Sequence, residues 1–181
     1  MHRLLLSSIC SLLAGAAQGL NSPFESAQLS SSDIGDFSAV DFGDRRHPNR
    51  HHAECRAFPG SEDWPSEHEW SRLNYTMDGA LLKPTPVGEA CYPGPLYDEK
   101  RCRYLLSPVA KNSHFYIDDP LTTLTQWTEG GTCMASLKPQ GNCTQGGFPV
   151  YVANVTTVKQ VQAAVNFARN KNIRLVIKCV T

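Results

Sequence analysis

Apolar positions fall into a readable rhythm in two stretches of the chain. In the last third, Pro149-Val-Tyr-Val152 reads as a short strand, with Pro at the first position, where its missing N–H is tolerated. Thr157 then suits a helix N-cap with Gln160 three residues on, and Val158, Val161, Ala164, Val165 and Ala168 recur at helical spacing. Asn172 fits a left-handed C-cap, and Ile173 to Lys178 reads as a second strand. A crossover of this length makes the two strands parallel and the turn of the unit right-handed. Leu175-Val176-Ile177 is apolar without alternation, so that strand wants cover on both faces and neighbours on both edges. Two strands and one helix do not supply this, and the unit reads as the opening piece of a larger sheet.

The second stretch is shorter. Pro65 to Leu73 reads as one helix, with Ser66 as N-cap, Glu69 as its capping-box partner, and Trp70 and Leu73 on the buried face. The rest of Cys55 to Cys143 lacks long periodic runs and is broken by prolines, which predicts short helices and hairpin-like pieces. Trp64, Trp70 and Trp127 read as core residues rather than a ligand platform, given the area an indole buries.

Composition changes the picture at the N-terminus. Met1 to Gly19 has a basic start (His2, Arg3), an apolar run and small residues at Ala17 and Gly19, the pattern of a secretory signal peptide cut after Gly19. A membrane anchor needs a run of roughly 20 apolar residues, and this one is shorter and interrupted by serines. From there to residue 53 the chain is rich in Ser, Asp, Gly and Arg and reads as a disordered leader. Inside it Arg45-Arg46 with His47, His51 and His52 fits a solvated linker, with a dibasic processing site or a metal-binding tract as the sharper alternatives. The chain carries 17 basic and 17 acidic residues, and losing Arg3 with the signal leaves a net charge near −1. No nucleic-acid or membrane-surface binding follows from that balance.

Of seven cysteines, Cys10 leaves with the signal, and Cys55, Cys91, Cys102, Cys133, Cys143 and Cys179 remain. An even set in an exported chain favours disulfides; sequence does not choose among the pairings of six, but Cys91–Cys102 and Cys133–Cys143 are preferred as local links closing Pro- or Gly-rich loops. A zinc site is the rival, and the absence of any CxxC speaks against a metal. Three sequons, at Asn74, Asn142 and Asn154, would carry N-glycans in such a compartment. His68 and His114 lie far apart, no Gly-x-Ser-x-Gly is present, and Asp118-Asp119 before Pro120 reads as a turn rather than a carboxylate pair.

Taken in order, the segments Cys143-Thr-Gln-Gly-Gly-Phe-Pro-Val-Tyr-Val152, Val158, Val161, Ala164, Val165, Phe167-Ala-Arg169, Asn172 and Arg174-Leu-Val-Ile-Lys178 resemble the start of an FAD-binding domain. The similar proteins are secreted FAD-linked oxidoreductases, berberine-bridge-enzyme-like members of the vanillyl-alcohol-oxidase superfamily with a PCMH-type FAD-binding domain. Upstream, Phe58-Pro-Gly60, Trp64-Pro-Ser66, Glu69-Trp70, Leu73-Asn74, Asp119-Pro120 and Cys133 resemble the N-terminal extension of the fungal members. The sequence departs from them at Ala57 and Asp63, where relatives often have two further cysteines. It departs again after Lys178, where relatives continue Asn-Thr-Gly-His-Asp and this chain reads Cys179-Val-Thr181.

The resemblance implies that the segment replaced is the pyrophosphate loop, whose His can attach to the flavin. It also implies that the complete relative oxidises an alcohol, sugar or secondary metabolite by hydride transfer to FAD, which oxygen reoxidises. No catalytic residue transfers to a numbered position. Lys178 is the single candidate at the cofactor rim, and it reads more readily as a solvated strand end than as a ligand, since long cations stay wet.

The expected class is therefore α+β: signal peptide 1–19, disordered leader 20–53, Cys/Pro-rich disulfide-stapled extension 54–145, and the first, incomplete βαβ unit of a flavin domain at 146–181. The expected function is a fragment of a secreted FAD-dependent oxidoreductase that neither binds FAD nor turns over by itself, so that a small-molecule substrate belongs to a full-length form alone. The alternative is a secreted, stapled glycoprotein module that binds a partner without catalysis.

Overall fold

A computed structural model of the chain describes residues 27–42, 55–111, 115, 118–121 and 130–178. The expected signal peptide, Arg45-Arg46, His47, His51, His52, His114, Trp127 and Cys179 lie outside the described residues. The described part is mixed: helices α1 (Ser31–Ile34), α2 (Glu67–Thr76), α3 (Glu99–Leu106) and α4 (Val158–Asn170), with strands β1 (Leu81–Leu82) and β2 (Val152–Ala153).

Both helices with clear sequence signals start where their caps dictate. Ser66 Oγ accepts from the Glu69 N–H, and the Glu69 carboxylate accepts from the Ser66 N–H at 3.0 Å, a reciprocal capping box that satisfies two first-turn donors. Thr157 Oγ1 accepts from the Gln160 N–H at 3.2 Å at the head of α4. At its tail, Asn172 sits in the left-handed region at φ +54°, the Ile173 N–H donates to Ala168 O and the Asn172 N–H to Arg169 O, a Schellman closure.

The main core gathers Trp70, Leu73 and Met77 around α2, Ala163 and Phe167 from α4, and Phe37, Ala39 and Val40 from the N-terminal arm. Trp70 is its hub, with Tyr151 stacked on it, and Trp64 and Phe167 tilted against it at 5.4 and 5.0 Å. Each such side chain removed from water contributes about 1.5–3 kcal/mol. A second, smaller cluster holds Cys91, Tyr92, Cys102 and Cys133, closed by the disulfides Cys91–Cys102 and Cys133–Cys143. Gly88 lies so near this cluster that a methyl group there would run into the Cys133 carbonyl.

Three expectations need correction. The leader is not disordered over residues 28–42: Ser30 caps α1 with Asp33 as its capping-box partner, a 3-10 turn follows at Ser38–Val40, and Val40 is completely buried. Phe37, Ala39 and Val40 are few, but they are spaced to enter one hole in the core.

The strands also differ. β2 pairs antiparallel with β1 in the register Leu81↔Ala153 and Leu82↔Val152, and residues 174–178 take no strand conformation. Ile173 alone makes a parallel bridge, to Ala57, so the two predicted strands are not each other's neighbours. A strand needs a ladder partner to persist; among the described residues none runs beside 174–178.

The period of α4 is as expected, but its phase is rotated. Gln160, Ala163, Asn166, Phe167 and Ala168 are buried, whereas Val161 and Val165 are exposed. Two amides go inside because main-chain acceptors wait there: Gln160 Nε2 donates to Met77 O and Asn166 Nδ2 to Val40 O, both at 2.9 Å.

Candidate functional site

The rim expected to face a cofactor begins where α4 ends. Asn172 holds the segment beside it by three bonds: its carbonyl accepts from the Ala57 N–H, its Oδ1 from Arg56 Nη1 at 2.8 Å, and its Nδ2 donates to Cys55 O at 3.0 Å. Beyond this clamp the chain presents Leu175, Val176 and Ile177 outward, the last two 69% and 75% exposed. Val161 and Val165 of α4 are 44% and 39% exposed in the same way. The helix thus has two apolar faces, and the one richer in valine is the uncovered one.

Lys178 Nζ donates to Asp119 O at 2.7 Å. Asp119 in turn accepts from the Leu121 N–H at 2.9 Å through Oδ1, the bond by which an Asp shapes a turn, while Asp118 points to solvent. The two carboxylates therefore do not form a catalytic pair.

The described residues do not fit the pyrophosphate of FAD. Lys178 is engaged with a carbonyl, the rim is lined by apolar side chains, and the first turn of α4 is capped by Thr157. Among the described residues no group of three or more His, Cys, Asp or Glu is placed to hold a metal ion, and no helix is long and apolar enough to cross a membrane. His68 stands exposed on α2 and Cys55 is an exposed free thiol.

The sequons sit in three settings. Asn142 and Asn154 are exposed, whereas Asn74 is half-buried on α2 and its Oδ1 accepts from the Leu81 N–H at 3.0 Å.

Sequence reasoning missed the richest polar site, the face of α4 and α2 that grips the N-terminal arm. Lys159 pairs with Asp33 at 2.8 Å, and Arg72 pairs with Asp36 while lying over the Phe37 ring at 4.5 Å. Gln162 Oε1 accepts from the Leu29 N–H at 2.7 Å. Asn170 Nδ2 donates to Ala39 O and Asp41 O, and Arg169 Nη2 donates to Phe42 O at 2.6 Å. The Lys159 and Ser30 bonds hold the Asp33 carboxyl far below the usual carboxylate range, and Asp33 raises Lys159 in return. The signal that would have found this site is charge complementarity: an arm with Asp33, Asp36 and Asp41 opposite Arg72, Lys159 and Arg169.

A second polar cluster lies at the rim of the Trp70 hub. Lys83 Nζ pairs with Glu67 at 3.1 Å and lowers its carboxyl, and Tyr151 Oη donates to the other Glu67 oxygen at 3.2 Å. Glu69 pairs with Lys171, joining the start of α2 to the end of α4. These are links between elements of the fold.

No family model matches the chain. Individual proteins do. A VAO-type flavoprotein oxidase of Thermothelomyces thermophilus is 35% identical over 132 residues, covering 72% of this chain and 23% of the relative. An FAD-linked oxidoreductase of Gibberella fujikuroi is 35% identical over 127 residues, 70% of this chain and 21% of its own length. The crystal structure of a VAO-type flavoprotein from Myceliophthora thermophila superposes with a TM-score of 0.64 at 35% identity, over 70% of this chain and 23% of that one. The similarity thus holds in sequence and in fold: over about 70% of its length the chain is homologous to VAO-type, FAD-linked flavoprotein oxidoreductases, of whose length it spans a little under a quarter.

Proposed function

We propose that the chain is the N-terminal section of a secreted FAD-linked oxidoreductase and that by itself it is a structural unit without flavin or turnover. The observation that carries this reading is the uncovered apolar surface: Val161 and Val165 on α4 and Leu175-Val176-Ile177 beyond it face water. These are the side chains a parallel sheet with covered faces would bury. In the complete enzyme, 146–178 would be the opening βαβ unit of the flavin domain, with further strands laid against that surface. Hydride transfer from an alcohol, sugar or secondary metabolite to FAD, and reoxidation by oxygen, would use groups outside this section.

The absence of any fit to a pyrophosphate supports the same reading, since a flavoprotein positions its cofactor with groups built around it. Secretion is supported by the signal-like Met1–Gly19 pattern and by the two disulfides, which persist in oxidising compartments. Asn142 and Asn154, both exposed, are the sites where N-glycans would attach most easily.

The test is to secrete the chain, purify it and record its spectrum. No stoichiometric protein-bound absorbance is expected near 450 nm, roughly where bound flavins absorb; one flavin per chain would overturn the proposal.

A further inference from the structure

The two exposed sequons are held in different ways. In Asn142-Cys143-Thr144 the middle residue is itself cross-linked: Cys143 is bonded to Cys133 and packs against the cluster of Cys91, Tyr92 and Cys102. Two hydrogen bonds fasten the same segment, from the Thr144 N–H to Thr132 O at 3.2 Å and from Thr132 Oγ1 to Thr144 O at 3.1 Å. In Asn154-Val155-Thr156 the middle residue is exposed and has no group to cross-link. There the Asn154 N–H donates to Ala80 O at 2.9 Å, and Thr156 donates to Gln160 Oε1 through its N–H and its hydroxyl. Hydrogen bonds open and reclose by local fluctuation, whereas a disulfide yields only to another thiol.

An N-glycan forms when the Asn amide nitrogen bonds to the anomeric carbon of a lipid-pyrophosphate-linked oligosaccharide. The sugar–phosphate bond breaks, and the lipid pyrophosphate and one amide proton leave. The transferring enzyme has to draw the Asn and the Thr of the sequon together into its own site, which takes a backbone free to bend. We propose that the Cys133–Cys143 bond controls this modification at Asn142: once the bond has formed, the site is closed to transfer. The bond forms as the two thiols pass two electrons and two protons to a disulfide of the oxidising compartment, which becomes a dithiol. Control runs one way, because Asn142 is exposed and a glycan attached first projects into water while the bond closes beneath it. The sequence separation of the pair is 10, so the Cys133 thiol is already present when Cys143 emerges, and the two reactions compete from the start. Asn142 is therefore partly occupied, and occupancy at Asn154 does not depend on the cysteines.

This inference rests on the proposed secretion, and Asn154 separates the two. The experiment is to secrete the full chain and its Cys133→Ala variant, which frees Cys143 and leaves the sequon intact, and to measure occupancy at each Asn by mass spectrometry after enzymatic deglycosylation. Occupancy of Asn142 is expected to rise about threefold or more in the variant while that of Asn154 stays the same. A glycan on Asn154, with Asn142 equally occupied in both chains, overturns the proposal and leaves secretion standing. A chain with no glycan at either site overturns secretion, and the proposal with it. Losing a disulfide also destabilises the fold, so a chain with Cys91→Ser and Cys102→Ser serves as control: it loosens the same cluster but keeps Cys143 bonded. Its Asn142 occupancy is expected to match that of the unaltered chain; a rise equal to that of Cys133→Ala would show that general loosening suffices and overturns the proposal.

Discussion

Trp70 stacks on Tyr151 with ring centroids 3.9 Å apart, while its indole N–H, fully buried, finds no acceptor among the described residues. The hub of the core thus combines a large favourable packing term with one unmet donor. Replacing Trp70 by Ala is expected to cost about 3–5 kcal/mol, the range for a buried aromatic. Trp70→Phe is expected to cost under about 1.5 kcal/mol, because losing the unmet N–H offsets part of the lost area. Guanidinium unfolding checks both, and a loss well above about 1.5 kcal/mol for Trp70→Phe would show that the unmet N–H carries no penalty.

Asn172 is needed for its backbone and for its side chain, and two substitutions separate these. Asn172→Gly keeps the left-handed turn but drops the bonds to Arg56 and Cys55, whereas Asn172→Val adds about 1–2 kcal/mol of left-handed strain. Stability should fall in the order Asn, Gly, Val. Exchange of the Ala57 amide proton, which is bonded to Asn172 O, should quicken in the same order.

Acid should weaken the joint between α2 and α4. Burial works to raise the Glu69 carboxyl, but the Lys171 ammonium and the bonds from Ser66 outweigh it and hold it below its ordinary 4.5. A carboxyl lowered in the folded state binds fewer protons there than in the unfolded chain. Its stabilisation is therefore complete above pH 4.5 and disappears as pH falls through the folded value. Glu69→Gln retains an acceptor for the capping box and should cost roughly 1 kcal/mol at neutral pH, as expected for a half-exposed pair. That difference should vanish once the pH lies below the folded value, as urea midpoints measured across the range would reveal.

The two disulfides each close a short loop, with sequence separations of 11 and 10. Chain entropy assigns each about 3 kcal/mol. Replacing Cys91 and Cys102 together by Ser should lower stability by about that amount and expose Tyr92, whose hydroxyl donates to Met134 O. Unchanged amide protection around Tyr92 would show that the second cluster stands without its staple.

What was legible in the sequence was local. Ser66 with Glu69, Thr157 with Gln160, and the left-handed Asn172 define element ends through bonds that span a few residues, so a linear reading reaches them. The phase of α4 was not, because Gln160 and Asn166 look like surface residues until Met77 and Val40 bring carbonyls to them. The arm was misread for a related reason. Its average composition is that of a solvated tail, while its role rests on Phe37, Ala39 and Val40 meeting a helix more than a hundred residues away. The second strand was expected from the apolar run at 175–177, a signal that reports a need for neighbours but does not furnish them. At the candidate rim, the turn role of Asp119 was readable from Pro120, but its carbonyl as the acceptor for Lys178 was not, since that contact spans 59 residues.

The arm has a consequence for the order of synthesis. Leu29 bonds to Gln162, 133 residues later, so the arm leaves the ribosome long before the helix that seats it. A strongly apolar segment kept waiting that long would invite aggregation. The Ser- and Asp-rich make-up of residues 28–42, with its apolar anchors confined to a few positions, keeps the arm soluble through that delay and still lets it complete the core when α4 arrives.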